Sequence, residues 1–236
     1  MGQNHIFNKT GVMSLMKAIA VDIDGTITDK NRKICVNAIT ALRKAEQHGF
    51  PVILVTGNII CASKMVSIMV GTSGGIVGEN GGVVHTRKRE LILGNIEKCK
   101  LAYEFLKTQH DVEKTEFSDL RLSEIAIKRN IDVNIVKETV KNFDVEVYDT
   151  KFAIHLTDPL VNKGKSLEIV AKDMGITLDE IMAVGDSEND LEFLEVAGFK
   201  VAVSNADKEL KENADYVTKK PHGDGTAEAI EKFILR

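Results

Sequence analysis

The chain is 236 residues long, room for one large hydrophobic core or for a core with a small second unit. With 43% hydrophobic residues, 28% charged residues and three prolines, its composition excludes a disordered, collagenous or mucin-like chain. Thirty-one Lys+Arg against 35 Asp+Glu leave a net charge of -4, so the balance carries no nucleic-acid footprint and no polybasic membrane surface, and small molecules are the expected partners.

Residues 1–15 begin Met1-Gly2-Gln3-Asn4-His5, lack the basic start and apolar run of a secretory signal, and show no clear periodicity. They read as a loose extension, and Met16-Lys17 would serve equally well as a start. No apolar stretch approaches the ~20 residues of a membrane helix, which places the protein in the cytoplasm. Cys35, Cys61 and Cys99 are odd in number and form no close CxxC pair, so reduced, buried thiols in helical segments are expected.

From Lys17 the run Ala18-Ile19-Ala20-Val21 is short and apolar on both faces, as in a strand buried within a parallel sheet. Ile34, Ala38, Ala41, Leu42 and Ala45 then fall at helical spacing, closed by Gly49. A second strand follows at 51–55, a helix at 59–70, and a Gly-rich segment at 71–82 that holds the short strand 75–77. The far end repeats the alternation: helix 163–174, strand 181–184, helix 188–196, strand 200–203, helix 207–213, strand 216–217 and a last helix from about Thr226. Strands alternating with helices predict an α/β fold, a doubly wound parallel sheet covered on both faces.

Residues 83–157 follow a different pattern. Val83-Val84-His85 and Leu91-Ile92-Leu93 flank a charged stretch in the manner of a hairpin. A helix at 95–109, a strand near 124–128, a helix at 133–142 and strands at 145–148 and 152–156 complete a compact α+β unit. The expected organisation is an extension at 1–15, a core at 16–82 and 158–236, and an inserted unit at 83–157.

In such sheets ligands bind beyond the carboxyl ends of the strands. The polar clusters there are Asp22-Ile23-Asp24-Gly25-Thr26, Thr56-Gly57-Asn58, Gly185-Asp186-Ser187-Glu188-Asn189-Asp190 and, opening a helix, Asn162-Lys163-Gly164. Singly, each makes an ordinary turn or helix cap. Together they converge on one sheet edge, where two carboxylates ~4 Å apart repel by about 4 kcal/mol at an effective dielectric of 20. Such a group calls for a cation, and hard oxygen ligands with room for water suit Mg²⁺.

In order and spacing, Asp22-x-Asp24-Gly25-Thr26, Thr56-Gly57, Lys163 and Gly185-Asp186-x-x-Asn189-Asp190 resemble the four motifs of the haloacid dehalogenase superfamily of phosphatases. The stretch Glu79-Asn80-Gly81-Gly82 and the insertion resemble the Cof-type branch with a class IIB cap. Within that branch, Phe152-Ala153-Ile154-His155, Asn162-Lys163-Gly164 and the last motif look most similar to the archaeal-type phosphoglycolate phosphatases. The resemblance spans about residues 16–234.

The resemblance implies a Rossmann-like core with a specificity cap and a Mg²⁺-dependent hydrolysis of a small phosphorylated metabolite, 2-phosphoglycolate, through an aspartyl phosphate. It leaves a homodimer open. Asp22 is expected as nucleophile and Asp24 as the acid that protonates the leaving alkoxide, then the base that activates water. Thr56, Gly57 and Lys163 are expected on the phosphoryl group, and the carboxylates of Asp22, Asp186 and Asp190 with the Asp24 carbonyl on the metal. A carboxylate-bearing substrate also needs a cation from the cap, and Arg121 is the candidate, against the alternative of an arginine in solvent. A sugar phosphatase or phosphomutase with the same machinery, and a non-catalytic metal- and phosphate-binding module, are the competing readings.

Other signals are set aside. Gly164-Lys165-Ser166 lacks the earlier glycine of a phosphate-binding loop, Pro159 standing there, and the Gly-rich run 71–82 holds no GxGxxG. His85 and His155 read as structural, Arg87-Lys88-Arg89 as a solvated hairpin tip, and Met65 with Met69 as core filler.

Overall fold

The computed structural model describes residues 5–7, 13–150 and 152–235. The chain opens with an antiparallel pair, β1 (His5–Phe7) and β2 (Met13–Leu15). This pair lies where a loose extension is expected; residues 1–4 and 8–12 are outside the described residues. Strand and helix then alternate as β3 (Ala18–Val21), α1 (Val36–Gln47), β4 (Val52–Val55), α2 (Ile60–Val70) and β5 (Gly75–Gly78). The next segment contains β6 (Val83–His85), β7 (Glu90–Ile92), α3 (Ile96–Gln109), β8 (Ile125–Ile127), α4 (Val133–Val140), β9 (Glu146–Asp149) and β10 (Ile154–Thr157). The chain closes with α5 (Lys163–Met174), β11 (Ile181–Gly185), α6 (Leu191–Val196), β12 (Phe199–Ala202), α7 (Lys208–Asn213), β13 (Tyr216–Val217) and α8 (His222–Phe233).

The main sheet runs in the order β13-β12-β11-β3-β4-β5-β6-β7, parallel from β13 to β5. Its inner strands are buried along their whole length, Ala18–Val21, Val52–Val55 and Ile181–Gly185, which is why they read as continuous apolar runs. From β3 the chain winds outward to β5 on one side and later returns to β11 on the other. Winding therefore reverses between β3 and β11, and a cleft opens beyond their carboxyl ends.

The hairpin at 83–93, expected to begin the inserted unit, belongs instead to this sheet. Val83 and Val84 pair antiparallel with Gly78 and Val77 and are buried in the main core. Two adjacent buried valines supply an edge that only the main sheet covers. A separate three-stranded antiparallel sheet, β8-β10-β9, packs against α3 and α4. Cys99, Leu106, Ile127, Val136 and Leu156 form its own core.

Three further expectations change. Helix α8 begins at His222 rather than about Thr226, and its glycines serve close packing: a Cβ on Gly223 would stand 2.4 Å from Cys35 Cβ on the neighbouring helix cap. Met65 and Met69 are exposed, together with Ile68, so this face of α2 is not core. Of the cysteines only Cys99 is buried; Cys61 is exposed and Cys35 half-buried, all three as free thiols. Among the described residues no helix is long and apolar enough to cross a membrane.

Candidate active site

The carboxyl end of β3 delivers Asp22, and the end of β11 delivers Asp186 with the short turn Glu188–Asp190 behind it. One carboxylate oxygen from each of Asp22, Asp186 and Asp190 lies within 4.8 Å of the others, and all three side chains are buried. Local bonds set the geometry. Asp190 Oδ2 accepts the main-chain N–H of Asp186 and of Ser187 at 3.0 and 3.1 Å, folding its carboxylate back toward the strand end. Thr26 Oγ1 donates to Asp186 Oδ1 at 3.3 Å, and Asn205 Nδ2 to Asp186 Oδ2 at 3.4 Å. Gly25, at φ 88°, is required where it stands: a Cβ there would fall 2.4 Å from Asp186 Oδ2.

The start of α5 inserts Lys163, also buried, whose Nζ donates to Asp190 Oδ1 at 2.6 Å and to Asp22 Oδ1 at 3.4 Å. Burial pushes the lysine down, but Asp190 and Asp22 outweigh it and hold the ammonium above the ordinary lysine range. Asp22 is pushed well above the usual carboxylate range, by burial first and by the Asp190 charge next; Lys163 opposes and Asp186 adds to the rise. When all three are ionised the carboxylates exceed the single ammonium by two negative charges, and the rise at Asp22 is one sign of that excess. Hard oxygen donors with that deficit fit a divalent cation.

Asp24 stands apart from this group. Its carboxylate is held by Arg32, Nε to Oδ1 at 2.8 Å and Nη2 to Oδ2 at 3.3 Å, and by Asn58 Nδ2 to Oδ2 at 2.7 Å. Asn58 also donates, through Nδ2 and its main-chain N–H, to Thr56 Oγ1 at 3.1 Å each. Thr56 caps β4, its N–H bonded to the Val77 carbonyl at 2.8 Å. Thr56, Gly57, Asp22 and Asp24 thus share one wall of a cavity of about 400 Å³.

The opposite wall comes from the inserted unit, through Arg121, His155, Phe117 and Phe152 among others. Arg121 is not in solvent: its side chain is 9% exposed, and Nη1 donates to the Gly57 carbonyl at 2.9 Å and to Glu124. Glu124 accepts from His155 Nδ1 and from Asn80 Nδ2, at 2.9 Å each. Burial favours the neutral acid, but His155 and Arg121 outweigh it and hold Glu124 below the usual range. His155 keeps the hydrogen-bonded role expected of it and also lines the cavity.

Sequence reasoning missed Arg32, Asn58, Asn80 and Glu124 as parts of this site. Asn58 and Asn80 were quoted within motif stretches without a role. Arg32 and Glu124 stand outside the motif clusters: Asp24 and Asn58 lie eight and 26 residues from Arg32, and of the partners of Glu124 only Arg121 is close in sequence, His155 and Asn80 lying 31 and 44 residues away.

The fold and its carboxylate cluster define a hydrolase class. The family model described as haloacid dehalogenase-like hydrolase matches residues 19–130 and 95–230, and the chain belongs to that family. Among individual proteins, it is 58% identical to a phosphoglycolate phosphatase of Methanothermobacter thermautotrophicus over 219 residues, 93% of this chain and 99% of that one. Identity is 44% to the phosphoglycolate phosphatase of Methanobrevibacter smithii, covering 92% and 98% of the two chains. A crystal structure from Thermoplasma acidophilum shares the fold at a TM-score of 0.88 and 24% identity, over 94% and 99% of the chains.

Proposed function

We propose that this protein is a Mg²⁺-dependent phosphatase that hydrolyses 2-phosphoglycolate to glycolate and phosphate in the cytoplasm. The observation that carries the reading is the buried group Asp22, Asp186 and Asp190, closed by Lys163, with Asp22 lining a cavity to which both units contribute. The name shared by relatives of nearly equal length supports the substrate, and three free cysteines support a reducing compartment.

Asp22 attacks phosphorus and forms an aspartyl phosphate as the ester P–O bond breaks. Asp24 gives a proton to the departing alkoxide, then takes one from the water that attacks the intermediate and frees phosphate. Thr56 and Gly57 hold the phosphoryl oxygens, and Lys163 neutralises them. Asp22, Asp186, Asp190 and the Asp24 carbonyl would hold the metal, whose two charges cancel the deficit left by Lys163 before a phosphate dianion arrives. Arg121 reads the carboxylate of the substrate. That it lines the same cavity as Asp22 and Asp24 and is tied to the carbonyl of Gly57, next to Thr56, supports this role.

A panel of phosphate monoesters assayed with Mg²⁺ tests the reading. Phosphoglycolate is expected to give the highest kcat/KM, and ¹⁸O from labelled water to appear in the phosphate. A tenfold preference for a sugar phosphate, or transfer of the phosphoryl group to a second hydroxyl, would overturn it.

A further inference from the structure

Arg32 lies outside every motif cluster, in the turn that follows the first one. Its backbone is left-handed, φ 61°, a conformation uncommon in residues other than glycine. The turn is pinned around it: Asp29 Oδ1 accepts the N–H of Asn31 and of Lys33 at 2.8 and 3.0 Å, and the Arg32 N–H donates to the Asp29 carbonyl at 2.9 Å. The side chain reaches Asp24 and grips its carboxylate at two points. Nη2 also donates to Asn58 Oδ1 at 3.0 Å, while Asn58 Nδ2 donates to Asp24 Oδ2, so the three side chains close a ring. Phe152, from the inserted unit, lies over the same guanidinium with its ring centre 4.9 Å from Cζ. An isolated surface ion pair does little. This one is bidentate, shared with an amide and faced by an aromatic ring.

We infer that Arg32 is a positioning residue: it aims the Asp24 carboxylate at the ester oxygen of the substrate, and Phe152 makes that aim depend on the inserted unit being seated over the core. The inference rests on the proposed role of Asp24. In the first step the Asp22 oxygen–phosphorus bond forms and the P–O ester bond breaks, its electron pair staying on the departing oxygen. That oxygen takes the proton of Asp24, and a carboxyl free to swing away delivers it poorly.

The test compares kcat/KM for ethyl phosphate, whose alkoxide must be protonated as it leaves, with that for p-nitrophenyl phosphate, whose phenolate need not be. Neither ester carries a carboxylate, so Arg121 does not enter. Breakdown of the aspartyl phosphate also lies outside kcat/KM. Arg32→Ala is expected to lower the ethyl-to-nitrophenyl ratio roughly tenfold, part of the 10²–10⁴ that a positioned acid supplies. Arg32→Lys, which keeps the charge without the fork, should recover only part of it, and Phe152→Ala should lower the ratio by a smaller factor. An equal fall on both esters would make Arg32 merely structural, and a rise in the ratio would mean that its grip holds Asp24 away from the ester oxygen; either overturns the inference. Should Arg32→Ala fail to melt cooperatively, Arg32→Lys and Phe152→Ala decide by the same ratio. Wild-type protein that releases no phosphate from phosphoglycolate or from either ester would overturn the proposed function and this inference with it.

Discussion

Lys163 Nζ lies 2.6 Å from Asp190 Oδ1, and both side chains are sealed from solvent. The ammonium also bonds Asp22, so its removal takes a compensating charge from two of the three buried carboxyls. Lys163→Ala is expected to cost about 3–5 kcal/mol of stability, as breaking a buried pair does. The loss should be smaller with millimolar Mg²⁺ than with EDTA, because a cation bound to the carboxylates restores part of the compensation. Urea melts with and without metal check this.

Activity should vanish on chelation and return with Mg²⁺ but not with Ca²⁺, whose longer and more variable bonds would misplace Asp22. Asp186→Ala should raise the Mg²⁺ concentration needed for half-maximal rate. Asp22→Asn should fall below roughly a thousandth of the wild-type rate at any metal concentration. Phosphate release across a metal titration separates the two variants.

The two recorded hydrogen bonds of the Arg121 guanidinium leave from Nη1, and its Nε is buried without a partner. Arg121 lines the cavity, and a guanidinium with donors to spare suits a carboxylate. The double variant Arg121→Gln, Glu124→Gln avoids leaving Glu124 as an uncompensated buried charge. It should lower the ratio of kcat/KM for phosphoglycolate over ethyl phosphate by roughly 10–100-fold, the worth of a charged hydrogen bond. An unchanged ratio would leave Arg121 as a tie between the two units.

Glu79 Oε2 accepts from the N–H of Leu122, the N–H of Ser123 and Ser123 Oγ at 2.8–2.9 Å, while Oε1 is buried without a partner. Burial first, then the charge of Glu124, raises its carboxyl above the usual range. The folded state therefore holds this proton more tightly than the unfolded chain, and stability falls as pH rises from the ordinary glutamate range through the raised value. Glu79→Gln should remove that contribution. The Tm of wild type relative to Glu79→Gln is expected to decline as pH rises above the ordinary glutamate range of about 4.3, measured by calorimetry without metal.

The alternation of apolar runs with helical spacing made the parallel sheet legible, and with it the strand ends where Asp22, Thr56 and Asp186 stand. These features depend on local pattern: a strand buried on both faces must be apolar throughout, and the residue that follows it must be able to leave the sheet. Met65 and Met69 misled for the same reason, since spacing along a helix shows that two residues share a face but not what covers that face. The start of α8 at His222 is hidden in the opposite sense, because the close approach of Gly223 to α1 and of Gly225 to Lys220 is invisible along the chain.

By itself the sequence determined the class of fold, the order of the motif clusters and the need for a cation among gathered carboxylates, because these follow from short-range periodicity and like-charge repulsion. Only the tertiary structure decided that β6 and β7 extend the main sheet, that Arg32 holds Asp24, that Arg121 bonds to Gly57 and that Glu124 is ringed by Arg121, His155 and Asn80. Two of these, Arg121 on Gly57 and Asn80 on Glu124, depend on how two units meet, and the others on which distant segments pack within one unit. A polar side chain has no preferred partner until packing removes its water, and that choice is made across the fold rather than along the chain.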